Sequence, residues 1–230
     1  MGINEIEKGN IGMNKVVSTL SLLGCTVVLA AGCANISSLQ TAQTLAPNQG
    51  EFVAGGGYFV MPDLNEELSK DSDESVELAF PYAEFMYRRG FFENFDAGLK
   101  LTIIGTIAVD GKYRFLNTGA FALATGLGVG YVNIVSESTS DGEATETDSR
   151  VIDLSVPLHM SYDVNDAFAF YLSPKYNLRI IDNEVGHLGG ATIGVRVGQS
   201  AGLYLETSYL VGLEDADGGH ILQYNAAFFF

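Results

Sequence analysis

The sequence predicts an all-β protein in which residues 51–230 form a ten-stranded antiparallel up-and-down β-barrel. Two observations support this prediction. Apolar and polar side chains alternate through runs of about ten residues, which is the period of a strand with two different faces. The segments between these runs are alternately long and acidic or short and rich in Gly and Asn, as expected when one rim of a barrel carries loops and the other carries turns.

The composition combines strong acidity with little charge. The 230 residues include 12 Lys and Arg against 28 Asp and Glu, a net charge of −16, yet only 17% are charged and 47% are hydrophobic. This hydrophobic content excludes disorder for most of the chain. Because so few cations cannot form a basic face for phosphates, no nucleic-acid partner is expected.

Residues 1–32 have the organisation of a secretory signal peptide. Met13-Asn14-Lys15 is a basic start, and residues 16–31 form an apolar stretch that is too short and too rich in Ser and Thr for a confident membrane-spanning helix. The acidic residues Glu5 and Glu7 do not suit such a start, so Met13 is an alternative first residue of the protein.

The signal segment ends in LAAGC, Leu29 to Cys33, which resembles the lipobox of bacterial lipoproteins, where a Cys becomes lipidated and N-terminal. This resemblance implies that residues 33–50 are a lipidated Cys33 and a polar periplasmic tether. Cys25 is a rival lipidation site, and a plain signal peptide is the other alternative. Both cysteines of the chain lie in this segment, so the mature protein is expected to lack an intrachain disulfide.

The strands are predicted from period-two alternation, which is clearest in residues 168–180 and recurs in 95–104 and 152–162. In the first of these runs Phe170 and Leu172 share an apolar face, opposite Ser173 and Lys175. The predicted strands cover residues 51–62, 76–88, 95–104, 108–116, 120–134, 151–163, 167–181, 190–198, 201–212 and 220–230.

The connections support this count. Long acidic loops are predicted at 63–75, 136–150, 182–190 and 213–219, and they hold sixteen of the 28 carboxylates. Short turns are predicted at 90–94, 117–119 and 165–166. A hairpin at Gly105-Thr106 makes the strand number even, as in bacterial single-chain barrels. Pro81, Pro157 and Pro174 fall inside strands, where each removes a ladder donor, and bulges are one interpretation of these positions.

The last strand carries the most specific pattern. HILQYNAAFFF places Tyr224, Phe228 and Phe230 on one face and ends on Phe. It resembles the C-terminal assembly signal of bacterial outer-membrane β-barrel proteins, and the likeness extends over residues 51–230 as an architecture. The resemblance implies a location in the outer membrane, with membrane lipid and the barrel-assembly machinery as partners. It also implies acidic loops on the cell exterior and a periplasmic N-terminus.

Alternation alone does not say which face of the barrel is outside. A soluble lipocalin-like barrel or a sandwich also alternates, with its apolar face inward. Export, the terminal Phe and the unequal rims favour lipid outside. The polar faces also carry more Gly, Ala and Ser than a solvated outer surface usually does.

With lipid outside, the polar faces line the lumen with seven cations and five carboxylates. The predicted lumen charges are Glu84, Arg88, Asp96, Lys100, Asp110, Lys112, Arg114, Asp153, Lys175, Arg179, Arg196 and Glu206. Buried charges need partners, so a satisfied ion-pair network that fills the lumen is one reading. A narrow pore with weak anion preference is the other.

Catalysis would require a His with a Ser or carboxylate partner. His159 is predicted to face the lumen, whereas His187 and His220 lie in or beside acidic loops. Residues 215–218 resemble only the start of a calcium loop, so neither a metal nor a cofactor is expected. The predicted function is therefore a non-enzymatic barrel lipoprotein with a structural or surface-interaction role. The alternatives are a narrow passive channel and an outer-membrane hydrolase.

Overall fold

The computed structural model describes residues 37–60, 79–140, 143–182, 184–213 and 220–230. The described residues form ten antiparallel strands that close into a barrel in chain order. Their bounds are β1 Gly50–Val60, β2 Ala79–Phe92, β3 Phe95–Thr102, β4 Ile107–Asn117, β5 Phe121–Ser140, β6 Glu143–Asn165, β7 Phe168–Ile181, β8 Glu184–Gly198, β9 Gly202–Gly212 and β10 His220–Phe229. None of these residues belongs to a helix long and apolar enough to cross a membrane.

The first and last strands close the barrel. β1 pairs with β10 from Val53↔Phe229 to Val60↔Leu222. Phe230 extends this seam, because its main chain exchanges two hydrogen bonds with Phe52, of 2.8 and 2.9 Å. Closure leaves no unpaired sheet edge, which a barrel in lipid requires.

The two faces of the wall differ as the alternation predicts. On β7, Phe170 and Tyr176 point outward and are exposed, whereas Tyr171 and Ser173 point inward and are buried. The outer surface carries exposed aliphatic and aromatic side chains on every strand, and charged side chains such as Arg88, Asp96 and Asp153 are buried inside. An apolar exterior around a polar interior is the arrangement of a transmembrane barrel and the reverse of a soluble lipocalin-like barrel. The predicted fold class is confirmed.

Two predicted loops are instead strands. β5 and β6 continue their ladder as far as Ser140↔Glu143, through most of the predicted loop 136–150. β8 begins at Glu184 and pairs with β7 through the predicted loop 182–190. The predicted boundaries are wrong because these segments are acidic or rich in Gly and lack the apolar face by which strands are recognised in the sequence. They form strands nevertheless, since neighbouring strands satisfy their main-chain groups.

The turns and the prolines can be compared with their predicted roles. The predicted hairpin at Gly105 is confirmed, and Gly105 adopts φ +90. The ladders are interrupted beside Pro157 and Pro174 without a change of register, and Pro81 keeps its place opposite Tyr58. The bulge interpretation is therefore wrong for these prolines. The register shifts lie near the short-turn rim, beside Gly90, Arg114 and Asp163.

Candidate functional site

The barrel lumen is occupied by the chain's own residues 37–45, here called the lumen segment. Ser37 to Ala42 are buried, and Ser37 donates a hydrogen bond of 2.6 Å to Oε2 of Glu84 on the inner wall. The sequence predicts a periplasmic tether over 33–50, but residues 37–45 lie inside the barrel. Their small polar side chains suit a tether and a polar lumen equally well.

Glu206 on β9 holds the segment through its main chain. Its Oε1 accepts a hydrogen bond of 2.9 Å from the amide of Ser38, and its Oε2 accepts one of 2.7 Å from the amide of Leu39. Tyr171 and Asn225 donate to the same carboxylate at 2.8 and 2.7 Å. Successive amides around one carboxylate form an anion-binding nest. A buried acceptor with four donors is well satisfied.

Lysines of the wall bind carbonyl groups of the segment. The Nζ of Lys100 donates to the carbonyl of Ser37 at 2.8 Å and to its hydroxyl at 2.7 Å. The Nζ of Lys112 donates to the carbonyls of Thr41 and Gln43 at 2.9 and 2.7 Å. Because most of these bonds go to the main chain, the wall recognises a peptide backbone in a fixed position.

Further side-chain contacts align the segment. Lys175 donates to the hydroxyl of Ser38 at 3.1 Å. The amide side chain of Gln43 accepts from Arg114 at 2.6 Å and donates to Asp163 at 2.7 Å. Gln43 is therefore held from two sides of the lumen, by Arg114 on β4 and by Asp163 on β6.

Leu39 provides the apolar anchor. Its side chain is fully buried, and its φ of 44° lies in the left-handed region that few non-glycine residues adopt. The side chain packs in a cluster with Val53, Met86, Tyr171, Tyr204, Ala227 and Phe229. This packing and the Glu206 carboxylate together support the unfavourable backbone conformation.

The segment leaves the lumen at the short-turn rim. The amide of Leu45 donates to Asp96 at 3.1 Å, and the amide of Asn48 donates to the carbonyl of Gly90 at 2.9 Å. A Cβ at Gly90 would lie 2.2 Å from the carbonyl oxygen of Ala46. Glycine at this position therefore lets the segment pass against β2.

A second group of lumen charges pairs across the wall. Arg88 forms an ion pair with Asp96 and donates to Asp110 at 2.7 and 3.0 Å. Arg179 donates to both oxygens of Asp153, at 2.8 and 3.0 Å. The Arg179–Asp153 pair is bidentate. Both groups hold strands of the wall together, and Asp96 also accepts the hydrogen bond from the amide of Leu45 in the segment.

The structure places all twelve predicted lumen charges on the inner face. Sequence reasoning missed two inward carboxylates, Glu51 and Asp163. Glu51 accepts a hydrogen bond of 3.3 Å from Tyr204 and lies 3.9 Å from Arg196. The parity of their strands, set by Val53 and Ser161, indicates an inward position for both.

The three histidines lie at different places on the barrel wall. His159 is buried, and its Nδ1 lies 2.9 Å from the hydroxyl of Ser173. His187 and His220 lie on the outer face, where the rings contact Tyr176 and Tyr209. Aromatic pairs of this kind suit a membrane interface.

Among the described residues, no group of three His, Cys, Asp or Glu side chains could hold a metal. Cys25, Cys33 and the calcium-like residues 215–218 lie outside the described ranges. The lumen contains a polar cavity of about 410 Å³ beside the segment, lined in part by Gln40, Thr41 and Arg196. The segment forms one wall of this cavity.

The predicted outer-face aromatics are placed together near the seam. Tyr224, Phe228 and Phe230 are exposed on the outer surface. The ring of Phe230 stacks against Phe52 with centroids 6.0 Å apart. The terminal residue thus contributes both a main-chain pair and an aromatic contact to barrel closure.

No protein-family model matches the sequence, and no curated protein matches it. Solved structures show a similar barrel fold. The translocator domain of the autotransporter NalP from Neisseria meningitidis has 10% identity and a TM-score of 0.44, over 94% of this chain and 97% of that chain.

Two further solved structures match. The outer-membrane protease OmpT from Escherichia coli has 11% identity and a TM-score of 0.43, over 82% of this chain and 98% of that chain. The β domain of the Bordetella autotransporter BrkA has 12% identity and a TM-score of 0.41, over 80% of this chain and 99% of that chain. The closed ten-stranded barrel, with its apolar outer face, is itself the observation that confirms the predicted fold.

Proposed function

We propose that this protein is a non-enzymatic outer-membrane β-barrel whose lumen is closed by its own residues 37–45. Its role is structural or surface-interacting, with the acidic connections on the cell exterior. The observation that supports this is the set of hydrogen bonds by which the side chains of Glu206, Lys100 and Lys112 bind the main chain of the lumen segment. A ten-stranded barrel leaves little space beyond its own side chains, and the segment fills much of it.

The channel alternative has less support. A pore for small anions needs a continuous wet path with cations along it. The cations Lys100, Lys112 and Lys175 do line the lumen, but they donate to the segment. His159 is buried and its Nδ1 lies 2.9 Å from the hydroxyl of Ser173, which gives the hydrolase less support than a histidine at a rim would.

Planar-bilayer recordings test closure. The wild-type protein is expected to give no steady conductance. A variant lacking residues 37–45 is expected to give small steps, which a synthetic peptide of residues 36–46 reduces and a scrambled peptide does not. Wild-type steps equal to those of the deletion variant would reject the closed barrel and support the channel.

Assembly provides a separate test. A folded barrel migrates differently on gels before and after heating, and this shift is expected for the wild type. Deletion of Phe230 removes two main-chain hydrogen bonds at the seam and is expected to reduce assembly strongly. Protein that stays soluble without detergent would contradict the membrane location.

We further propose that Cys33 is lipidated after cleavage of residues 1–32. Incorporation of labelled palmitate is expected in the wild type and in Cys25→Ser but not in Cys33→Ser. Labelling that is lost only in Cys25→Ser would assign the rival site. Absence of label in every form would leave a plain signal peptide.

A further inference from the structure

One hairpin extends beyond the rest of the barrel wall. β4 pairs with β5 no further than Tyr131, and β7 pairs with β6 no further than Val151. β5 and β6 continue to pair with each other over residues 134–140 and 143–149, here called the outer hairpin. Within the part of the chain that the structure describes, this ladder has no third strand.

The connections on both sides of the outer hairpin are short. Residues 103–106 join β3 to β4, and residues 182–183 join β7 to β8. The outer hairpin adds seven residue pairs to the ladder. At about 3.3 Å per residue, this carries β5 and β6 about 23 Å further along the strand direction than their neighbours. The outer hairpin therefore projects from the long-loop rim, with two long edges that no described strand covers.

An uncovered strand edge presents a row of main-chain N–H and C=O groups that can pair with another strand. Proteins commonly protect such edges with proline, lysine or a β-bulge. Residues 143–149, EATETDS, contain neither proline nor lysine, and their ladder with β5 has no register shift. A hairpin of two strands is also only marginally stable by itself in water. The main chain of the outer hairpin therefore favours the addition of a third strand.

The sequence of the outer hairpin determines which charge that strand should carry. Glu143, Glu146 and Asp148 give residues 143–149 three carboxylates and no cation, whereas residues 134–140 contain one carboxylate. Opposite charges across a strand pair stabilise it, and like charges destabilise it. The same edge of a second copy of this chain would place carboxylates against carboxylates. The β6 edge therefore favours a strand with basic side chains.

We propose that the outer hairpin binds an extended segment of another protein, which carries Lys or Arg at alternate positions and adds as a third strand along residues 143–149. Main-chain hydrogen bonds provide the affinity of such strand addition, and the carboxylates select the partner. The proposal names the partner for the surface-interaction role proposed above. It rests on that proposed function for the location of this rim on the cell exterior.

A fluorescent peptide that alternates Lys and Thr, matched in length to residues 143–149, is the probe. Its binding to the purified full-length protein in detergent is followed by fluorescence anisotropy, and saturable binding is expected. The same peptide methylated at every main-chain nitrogen keeps its charge but cannot donate to the edge, and it is expected to bind at least about tenfold more weakly. Equal binding of the two peptides would show attraction of charge alone and would overturn the proposal.

Replacement of residues 136–147 by Asn-Gly removes the site, since this dipeptide forms a two-residue turn between the paired residues Val135 and Asp148. The variant is expected to lose peptide binding and to keep its heat-dependent gel migration, because the removed residues pair only with each other. Undiminished binding would reject the outer hairpin as the site. No binding to a wild type of normal gel migration would reject this proposal and leave the barrel intact. A wild type without that migration would contradict the barrel, and this proposal with it.

Glu146→Gln combined with Asp148→Asn keeps the strands and tests the charge. Peptide binding is expected to weaken about fivefold. Glu184→Gln, which removes a carboxylate exposed at the same rim, is the control and should bind as the wild type does. Wild-type binding by the double variant would overturn the basic partner. Self-association of the wild type that is lost in the shortened variant, measured by light scattering, would assign the edge to a second copy of the chain and also overturn the proposal.

Discussion

Two groups of buried charges share the lumen but have different partners. Arg88 and Arg179 bind carboxylates of neighbouring strands, so these pairs join wall to wall. Glu206 and Lys112 bind amides and carbonyls of the lumen segment. The first group keeps its strand-to-strand ion pairs when the segment leaves and loses one contact, from the amide of Leu45 to Asp96. The second group loses the main-chain partners that the segment provides. The comparison shows that part of the lumen is built to hold a peptide main chain.

Arg88→Met is expected to have the largest effect. It leaves Asp96 and Asp110 close together without their shared partner, and removing one member of a buried ion pair costs about 3–5 kcal/mol. The free energy of unfolding in urea, followed by gel migration, measures the loss. The segment should stay in place.

Arg89→Met is the matched control, since Arg89 is exposed on the same strand. It is expected to cost about 0.5 kcal/mol or less. Equal effects at 88 and 89 would contradict a special role for the wall pair.

The sequence predicts the wall well and the segment poorly, for one physical reason. Strands with two different faces leave a period-two pattern, and parity alone places Lys100, Lys112 and Glu206 inward. Residues 34–50 carry no such pattern. The position of residues 37–45 depends on main-chain hydrogen bonds to residues distant in the sequence, and such bonds leave no trace in side-chain order.

The sequence alone assigns the predicted charges to the lumen, but it does not identify the partner of each charge. Seven cations facing five carboxylates suggest an ion-pair network. However, Lys100 and Lys112 donate mainly to the segment, and Glu51 and Asp163 bring the carboxylates to seven. Tertiary structure was needed to separate wall pairs from segment contacts.

Glu206→Gln is expected to have the next largest effect, about 3 kcal/mol. The side chain of Gln has one acceptor oxygen in place of two, whereas four donors bind the Glu206 carboxylate, so some of them lose their partner. A buried donor without a partner costs about 1–3 kcal/mol. Unlike Arg88→Met, it should also release the segment. Proteinase K cleavage before Gly50, read by mass spectrometry, reports that release.

Glu93→Gln is the control for the previous variant, because Glu93 is exposed at the short-turn rim and only its carbonyl contacts the segment. It should leave both stability and cleavage unchanged. If the segment in Glu206→Gln resisted proteinase K as well as it does in the wild type, the hydrogen bonds from the segment amides to Glu206 would not be what holds it in place.

Leu39→Ala is expected to have the smallest of the three effects, about 2 kcal/mol, at the lower end for a buried Leu→Ala change. The cluster around Leu39 joins the segment to the wall without charge, so the lost contact should raise proteinase K cleavage while the wall pairs keep the barrel closed. Leu127→Ala, on the exposed outer face, removes the same atoms and should leave cleavage unchanged. If Leu39→Ala lowered the free energy of unfolding without any increase in cleavage, Leu39 would support the wall alone, and the segment would depend on Glu206 and the lysines.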